Sequence, residues 1–435
     1  MQSTPSSSCN ARLKFYNENN FEKIPQLSAF SENDLHAIRV VSAVLPFKVT
    51  QYVLDELIDW DNIPIDPMFQ LTFPQKEMLQ PEHFNEISAL IKSGSNNNSE
   101  LNNAIKRVRM QLNPHPSNQF GNIPKIDGNN ISGIQHKYKE TVLFFPSQGQ
   151  TCFAYCTFCF RWPQFIGDKN LQFASKDSMT LCKYLEINKQ VTDVLFTGGD
   201  PMVMNTRLFE SYFNSLLDPK LEHIQTIRIG TKSLTYSPHR FTSMEDADDL
   251  LRLFEKMIRH GKKIAVMAHF NHWRELQPDL TRLAIKRLQD VGVVIRSQGP
   301  LLKHINDDSG VWSKLWSDQV SLNIIPYYMF VERDTGPKHY FEIPLIKGWE
   351  IYKDAIKTVS GLARTARGPS MSTDYGKIEI QGISEVYNEK VIVLRFIQAR
   401  NPELVQQPFF AKYNANAVWI NDLEPAFGKE KFFFL

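Results

Sequence analysis

Short apolar segments alternate with segments of helical period between residues 191 and 359. The apolar segments cover residues 191–197, 224–229, 264–268, 293–295 and 322–328. Runs of this length are typical of strands, and each is followed by a segment long enough for a crossover helix. Strands connected in this way lie parallel to each other in one sheet. The chain is therefore predicted to be an α/β protein built on a partial or complete parallel β/α barrel.

The helices that alternate with these strands are predicted over residues 206–217, 280–291 and 345–359. A further helix is expected after Thr242-Ser-Met-Glu245, which has the form of a capping box, and Gly261 is suited to end it. Near the N-terminus, Ser31 is suited to cap a helix that starts beside it.

Changes in composition predict four regions along the chain. Residues 1–20 are polar and are expected to be poorly ordered, and residues 21–135 form a helical region with a linker. The barrel is predicted over residues 136–374. Residues 375–435 are predicted to form a small β-rich extension, with strands at 377–380, 391–396 and 418–420.

Three of the five cysteines lie in the run Cys152-Phe-Ala-Tyr-Cys156-Thr-Phe-Cys159. Clustered thiolates favour a soft metal, either zinc or an iron–sulfur cluster. A [4Fe–4S] cluster normally takes four cysteines, so three would leave one iron open to another ligand. Zinc with a distant fourth ligand is the alternative. The spare thiols, Cys9 and Cys182, lie in the polar tail and in a helical pattern.

The charge balance gives no sign of a nucleic-acid or membrane partner. Lys and Arg number 49 against 47 Asp and Glu, a net charge of +2. The first residues lack the apolar core of a signal peptide, and no apolar run approaches the roughly 20 residues that span a bilayer. Clustered cysteines also do not resemble a disulfide framework. These features favour a cytoplasmic protein.

Candidate site residues follow the predicted strands, where the reactive groups of such barrels lie. They are Gly198-Gly199-Asp200, His269-Phe-Asn-His272, Gln298 and Pro326-Tyr327-Tyr328. Each segment also has a structural interpretation. The glycine segment can be an ordinary turn, the two histidines form only a weak metal motif, and the tyrosines can be packing residues.

Together these segments resemble the lysine 2,3-aminomutase family of radical S-adenosylmethionine (SAM) enzymes. The C-x3-C-x2-C run, with Phe158 before its last cysteine, resembles the superfamily signature. The family segments found in matching order over about residues 130–377 are Gly198-Gly199-Asp200, Arg228-Ile-Gly230, Pro238-His-Arg240, His269-Phe-Asn-His272, Gln298-Gly-Pro-Leu-Leu and Pro326-Tyr327-Tyr328.

The resemblance implies three cofactors: a [4Fe–4S] cluster, SAM and pyridoxal 5′-phosphate (PLP). In that family, reduction of the cluster cleaves SAM to a 5′-deoxyadenosyl radical. The radical removes a hydrogen from C3 of an amino acid, and the PLP-bound nitrogen migrates from C2 to C3. A small amino-acid-like substrate and an electron donor such as flavodoxin or ferredoxin are then implied. A homo-oligomer is compatible with this assignment.

The family's site residues correspond to particular positions of this sequence. Cys152, Cys156 and Cys159 match the cluster ligands, and Arg161 matches the arginine that grips the substrate carboxylate. The cofactor-binding positions outside the PLP site are Gly198, Gly199, Asp200, His269, Gln298 and Tyr328. Among these, the glycine segment and Gln298 match positions that contact SAM.

Lys377 matches the lysine that binds PLP, although the glycine-rich turn before it is shorter than in the family. A solvated lysine that opens a strand is the alternative interpretation. Lys137 and Tyr138 match the phosphate-binding segment, where Lys137 replaces one family arginine and Thr141 another. Lysine still pairs with phosphate, but without the planar fork of arginine.

The substrate-binding positions depart from the lysine enzyme. Two aspartates there receive the remote ammonium group; one matches Asp374, and Arg333 stands at the position of the other. An arginine repels a lysine side chain and favours an acidic or neutral substrate. No cysteine follows Cys182, so the family's C-terminal zinc ligands are missing.

Three functions remain open from the sequence. The first is an aminomutase-type isomerase of the radical SAM superfamily. The second is a PLP-independent radical SAM enzyme, such as an epimerase, a dehydrogenase or a peptide modifier. The third is a non-catalytic iron–sulfur or zinc protein, for which Gly198-Gly199-Asp200 and Gln298 would have no use.

Overall fold

The computed structural model describes residues 13–94, 98–113, 122–167 and 173–435. It shows a mixed α/β protein in which one eleven-stranded sheet carries most of the strands. Cys9 lies outside the described residues.

The strands, named β1–β15 in chain order, span Phe15–Asn17, Lys48–Thr50, Lys125–Ile126, Asn129–Asn130, Ile134–Tyr138, Thr141–Phe144, Asp193–Phe196, Thr226–Thr231, Lys263–His269, Val294–Leu301, Ile325–Val331, Arg367–Ser372, Gly376–Val386, Glu389–Ala399 and Pro408–Lys412. The helices, named α1–α14, span Glu32–Val44, Gln51–Glu56, Pro67–Thr72, Pro81–Lys92, Asn98–Gln111, Ser178–Ile187, Thr206–Ser215, Ser233–Tyr236, His239–Thr242, Ala247–Arg259, Asp279–Asp290, Ser309–Ser321, Lys338–Phe341 and Leu345–Lys357.

The large sheet runs in sequence order from β5 to β15. Neighbouring strands from β6 to β12 are parallel, whereas β5 and the strands from β13 to β15 pair antiparallel. The α/β class with a parallel core is therefore confirmed. Closure of this sheet into a barrel stays a prediction. The C-terminal strands do not form a sheet of their own but extend the central one.

Successive side chains of the parallel strands lie on opposite faces of the sheet. One face packs against the helices in the main core, and the opposite face is called the inner face here. Val142, Phe144, Val194 and Phe196 are fully buried in the cluster that includes helix residues such as Leu185. Side chains of successive strand residues point to opposite faces. The register-paired Leu143, Leu195 and Arg228 therefore point to the inner face.

The N-terminal helices form a second core that includes part of the cysteine run. Ser31 caps α1 in a capping box with Asp34, as the sequence predicted. Ala154 and Phe158 are buried in the same cluster as Val41 and Leu71. The N-terminal region thus packs directly against the segment that carries the cysteines.

Four local predictions were wrong. Within the predicted polar tail, Phe15–Asn17 forms a strand paired with Lys48–Thr50, because Tyr16 is buried. Residues 239–242 already form α9, and Ala247 rather than the predicted box opens the next helix. Residues 418–420 are not a strand; their apolar side chains fill the C-terminal core and lead into a short turn.

The fourth correction concerns the strand that contains Pro326. It continues to Val331 instead of ending at Tyr328. Ser297 pairs with Pro326 and Gln298 pairs with Tyr328, so the register shifts at Tyr327, directly after a proline that cannot donate a ladder hydrogen bond. Among the described residues, no helix combines the length and apolar character needed to cross a bilayer.

Candidate active site

The cysteine run is an irregular loop that the N-terminal region holds in place. Lys48 Nζ donates a 2.8 Å hydrogen bond to the carbonyl of Cys152, and the Tyr155 N–H donates to the carbonyl of Lys48. Thr157 binds the carbonyl of Gln70 through its hydroxyl. The loop is therefore fixed by contacts with residues about 80 to 110 positions earlier in the chain.

The three thiols fit the ligand set of an iron–sulfur cluster. Cys152, Cys156 and Cys159 are free cysteines, and burial raises the pKa of each thiol, that of Cys156 to about 12. A bound metal centre would stabilise the thiolate forms that burial disfavours. Among the described residues, no three His, Cys, Asp or Glu side chains converge on one metal ion. A cluster places its thiolates on separate irons and does not need that convergence.

The segment Gly198-Gly199-Asp200 packs against the approach to Cys152. A Cβ on Gly199 would lie 2.5 Å from the carbonyl oxygen of Thr151, and the N–H of Asp200 donates to that same oxygen. The absence of a side chain at Gly199 thus serves the close contact of two chain segments. Contact of this segment with SAM remains a prediction.

The Asp200 carboxylate accepts its hydrogen bonds from other groups of the protein. It accepts hydrogen bonds from the hydroxyls of Thr231 and Ser233 and from the N–H groups of Met202 and Lys232, at 2.7 to 3.0 Å. Burial raises its pKa, and these donors counteract part of that rise. Asp200 therefore ties the ends of β7 and β8 together, and only its backbone remains for a ligand.

Three predicted cofactor positions form a row across adjacent strands. His269 pairs with Gln298, and Gln298 pairs with Tyr328. The His269 ring lies edge-on to Phe158 of the cysteine loop, with 5.6 Å between ring centroids. Burial, with help from the Lys232 charge, lowers the pKa of His269 well below its usual value, so its imidazole is neutral.

The predicted histidine pair does not form a metal site. The Nε2 of His269 is buried without a hydrogen-bond partner, whereas Nδ1 of His272 accepts from the N–H of Arg274 at the start of a short turn. His272 therefore has a structural role in this turn.

A cavity of about 190 Å³ lies on the inner face of the sheet and brings six predicted site residues together. These residues are Lys137, Tyr138, Arg161, Arg333, Asp374 and Lys377. The cavity adjoins the cysteine loop, because Phe160 and Arg161, which follow Cys159 directly, both line it.

Lys377 is directed into the cavity and is not a solvated surface lysine. Its Nζ donates a 2.8 Å hydrogen bond to Gln398 and lies 4.4 Å from the centroid of the Tyr328 ring. Burial first, then the charges of Arg228, Arg367 and Lys137, lower its pKa to about 7. The lowered pKa makes the unprotonated amine, the form that attacks an aldehyde, more accessible near neutral pH than in an ordinary lysine.

The predicted phosphate-binding segment lines the same cavity as Lys377, through Lys137, Tyr138 and Thr141. Lys137 donates to the carbonyl of Thr373, and burial with the charges of Arg333 and Arg400 lowers its pKa to about 8. It remains largely cationic at neutral pH. An anionic group such as a phosphate fits beside it.

Sequence reasoning missed several residues of this region. Gln398, Phe160 and the paired Arg228 line the cavity, and Tyr236 lies 3.1 Å from the sulfur of Cys156. Only Arg228 stood in a family segment; nothing in the sequence places Gln398 or Tyr236 near the others. Their positions depend on strand register and on packing between distant segments.

Comparisons with known proteins find relatives that are named lysine 2,3-aminomutases. A protein of Aquifex aeolicus named "Putative L-lysine 2,3-aminomutase" is 29% identical over 413 residues, which cover 94% of this chain and 95% of that protein. The L-lysine 2,3-aminomutases of Methanococcus maripaludis and Fusobacterium nucleatum are 24% and 30% identical over 77% and 54% of this chain. The chain is a divergent relative of these lysine 2,3-aminomutases.

The chain spans nearly the whole Aquifex protein but only 66% and 51% of the other two relatives. No family model matches the chain. Likeness to solved structures is weak: SuiB of Streptococcus suis with bound SAM has a TM-score of 0.35 and 16% identity over 63% of this chain and 58% of that one. Similarity to lysine 2,3-aminomutases over nearly the whole chain supports a radical SAM enzyme of the aminomutase type.

Proposed function

We propose that the chain is an aminomutase-type isomerase that moves the amino group of an α-amino acid from C2 to C3. The observation that carries this proposal is the position of Lys377. Its Nζ, hydrogen-bonded to Gln398, enters a cavity that Arg161 also lines, two residues after Cys159. An amine suited to bind PLP thus faces the same cavity as residues of the cysteine loop.

Each group of residues has a separate task in this proposal. Cys152, Cys156 and Cys159 hold the cluster, which supplies electrons for cleavage of SAM when it is bound. Gly198 and Gly199, together with the row of His269, Gln298 and Tyr328, border the SAM site.

The cavity residues bind and orient the substrate and PLP. Lys377 carries PLP, which supplies the π-system that the migrating nitrogen needs. Lys137 and Tyr138 bind its phosphate, and Arg161 binds the substrate carboxylate. Arg333 and Asp374 lie where the substrate side chain would extend.

The proposed reaction is an isomerisation without net oxidation. The C2–N bond breaks and a C3–N bond forms, and the hydrogen removed from C3 is replaced by one delivered to C2. One electron is needed to start the reaction, and we assign it to a donor such as flavodoxin or ferredoxin. The parallel strands form the partial β/α barrel of such enzymes, and a reducing cytoplasm suits their thiolates.

Anaerobic reconstitution with iron, sulfide, SAM and PLP tests this function. The reduced protein is incubated with amino acids deuterated at C3, and products are analysed by mass spectrometry and NMR. We expect a β-amino acid and deuterium in 5′-deoxyadenosine. The Cys159→Ala variant should lose SAM cleavage. Cys182→Ala should retain it, because this thiol packs against the core and donates to the Ser215 carbonyl outside the cysteine run. SAM cleavage without any β-amino product would contradict the proposal.

A further inference from the structure

Two guanidinium groups of the cavity share one aromatic ring. The central carbon of Arg161 lies 5.1 Å from the centroid of the Phe160 ring, and that of Arg333 lies 5.4 Å from it. The two guanidinium carbons can therefore be no farther apart than these two distances combined. This spacing suits one small molecule that has an anionic group at each end.

Each of these two guanidinium groups has a buried nitrogen without a hydrogen-bond partner in the described part of the chain. These atoms are the Nη1 of Arg161 and the Nε of Arg333. In the described part of the chain, neither arginine has a carboxylate within 4 Å, whereas Arg228 of the same cavity is paired with Asp193. Burying a charge without a partner is unfavourable, so a ligand anion at each arginine would stabilise the site.

The cavity as a whole is cationic. Its lining contains Lys137, Arg161, Arg228, Arg333 and Lys377 against one acidic residue, Asp374. Burial lowers the pKa of Arg333, and the charges of Asp334 and Asp374 offset part of this effect.

We propose that the substrate is an α-amino dicarboxylic acid, such as aspartate or glutamate, whose two carboxylates bind Arg161 and Arg333. The proposal rests on the aminomutase function and adds its substrate class. Arg161 binds the carboxylate next to the migrating amino group, and Arg333 binds the carboxylate of the side chain. A cationic side chain is repelled by Arg333, and a neutral amide leaves its charge unpaired.

Isothermal titration calorimetry on the protein loaded with cluster, SAM and PLP tests this substrate class. L-Glutamate and L-aspartate are compared with L-glutamine, L-asparagine and L-lysine. We expect each acid to bind about 10- to 100-fold more tightly than its amide, and L-lysine to bind more weakly still. Arg333→Gln should abolish the preference for the acid, and Arg333→Lys should retain part of it. Arg252→Gln, on an exposed face of α10, is the matched control and should behave as wild type.

Several results would overturn the proposal. Equal or tighter binding of the amides or of lysine to the wild type is one, and a preference for the acid that survives Arg333→Gln is another. Weaker PLP binding in Arg333→Gln with an unchanged preference would assign Arg333 to the cofactor phosphate instead. If the acids do not bind while Lys377 still reacts with PLP and SAM is cleaved, the substrate class alone is wrong. If Lys377 does not react with PLP, both the substrate class and the proposed aminomutase function are wrong.

Discussion

Nζ of Lys377 donates a 2.8 Å hydrogen bond to Oε1 of Gln398, its register partner on the neighbouring strand. The close approach of these strands depends on Gly376, where a Cβ would lie 2.1 Å from the carbonyl oxygen of Gln398. The C-terminal strands thus contribute to the cavity directly, because they hold the amine of Lys377 at a fixed position.

The lowered pKa of Lys377 predicts a pH dependence for its reaction with PLP. Because burial lowers this pKa to about 7, the amine is protonated below that pH and becomes reactive as the pH rises through it. Ordinary lysines reach this point near pH 10.4. Borohydride trapping at a series of pH values should therefore show half-maximal labelling of Lys377 near pH 7. A midpoint near pH 10.4, the ordinary value for lysine, would contradict the buried position.

Gln398→Leu should lower the apparent pKa of Lys377 further. The amide oxygen of Gln398 accepts a hydrogen bond from the ammonium form and so favours that form. Its loss removes about 1.5 kcal/mol of stabilisation of the charged amine, equivalent to roughly one pH unit. The same pH series measures the effect. An unchanged or raised midpoint would show that Gln398 does not set the state of Lys377.

Asp200→Asn should destabilise the fold. Asp200 accepts hydrogen bonds from two hydroxyls and two N–H groups, and an amide cannot accept them all. We expect the free energy of unfolding to fall by about 2 kcal/mol in urea denaturation. Asp290→Asn, which removes an exposed pair with Lys286, should change it by less than about 0.5 kcal/mol. Equal effects of the two substitutions would show that the buried network is not stabilising.

Tyr236→Phe should lower the reduction potential of the cluster. The Tyr236 hydroxyl lies 3.1 Å from the sulfur of Cys156, and a hydrogen bond to a cluster sulfur stabilises the more negative, reduced state. Loss of about 1 kcal/mol corresponds to roughly 40 mV for a one-electron couple. Potentiometric titration followed by electron paramagnetic resonance measures this shift. A potential that stays the same or rises would exclude this contact as a source of tuning.

The sequence predicted the strands whose apolar runs were both short and isolated. The pattern of apolar residues located the strands around Val194 and Val266. This worked because the length of an apolar run, and of the helix that follows it, can be read from neighbouring residues in the sequence. It failed at Trp419 and Ile420, since burial in a core requires apolar residues whether or not they form a strand. At Pro326 it failed because the strand continues past the proline with a shift in register at Tyr327, and such a shift leaves no periodic signal in the sequence.

Site residues that belong to a recognisable sequence motif could be predicted. Site residues that reach the cavity only through the tertiary fold could not. Cys152, Gln298 and Lys377 stand in recognisable segments. Gln398 and Tyr236 belong to no such segment, and they reach the site through strand pairing and through packing between residues 80 positions apart. Non-local contacts of this kind leave no periodic signal in the sequence.

The central claim is that Lys377 binds PLP, and one measurement tests it most directly. Anaerobically reconstituted protein is mixed with PLP, reduced with borohydride, digested and analysed by mass spectrometry. The account predicts a pyridoxyl group on Lys377 and none on Lys137, which donates to the Thr373 carbonyl at the same cavity. SAM cleavage without a label on Lys377 would contradict the account and would favour a radical reaction that does not use PLP.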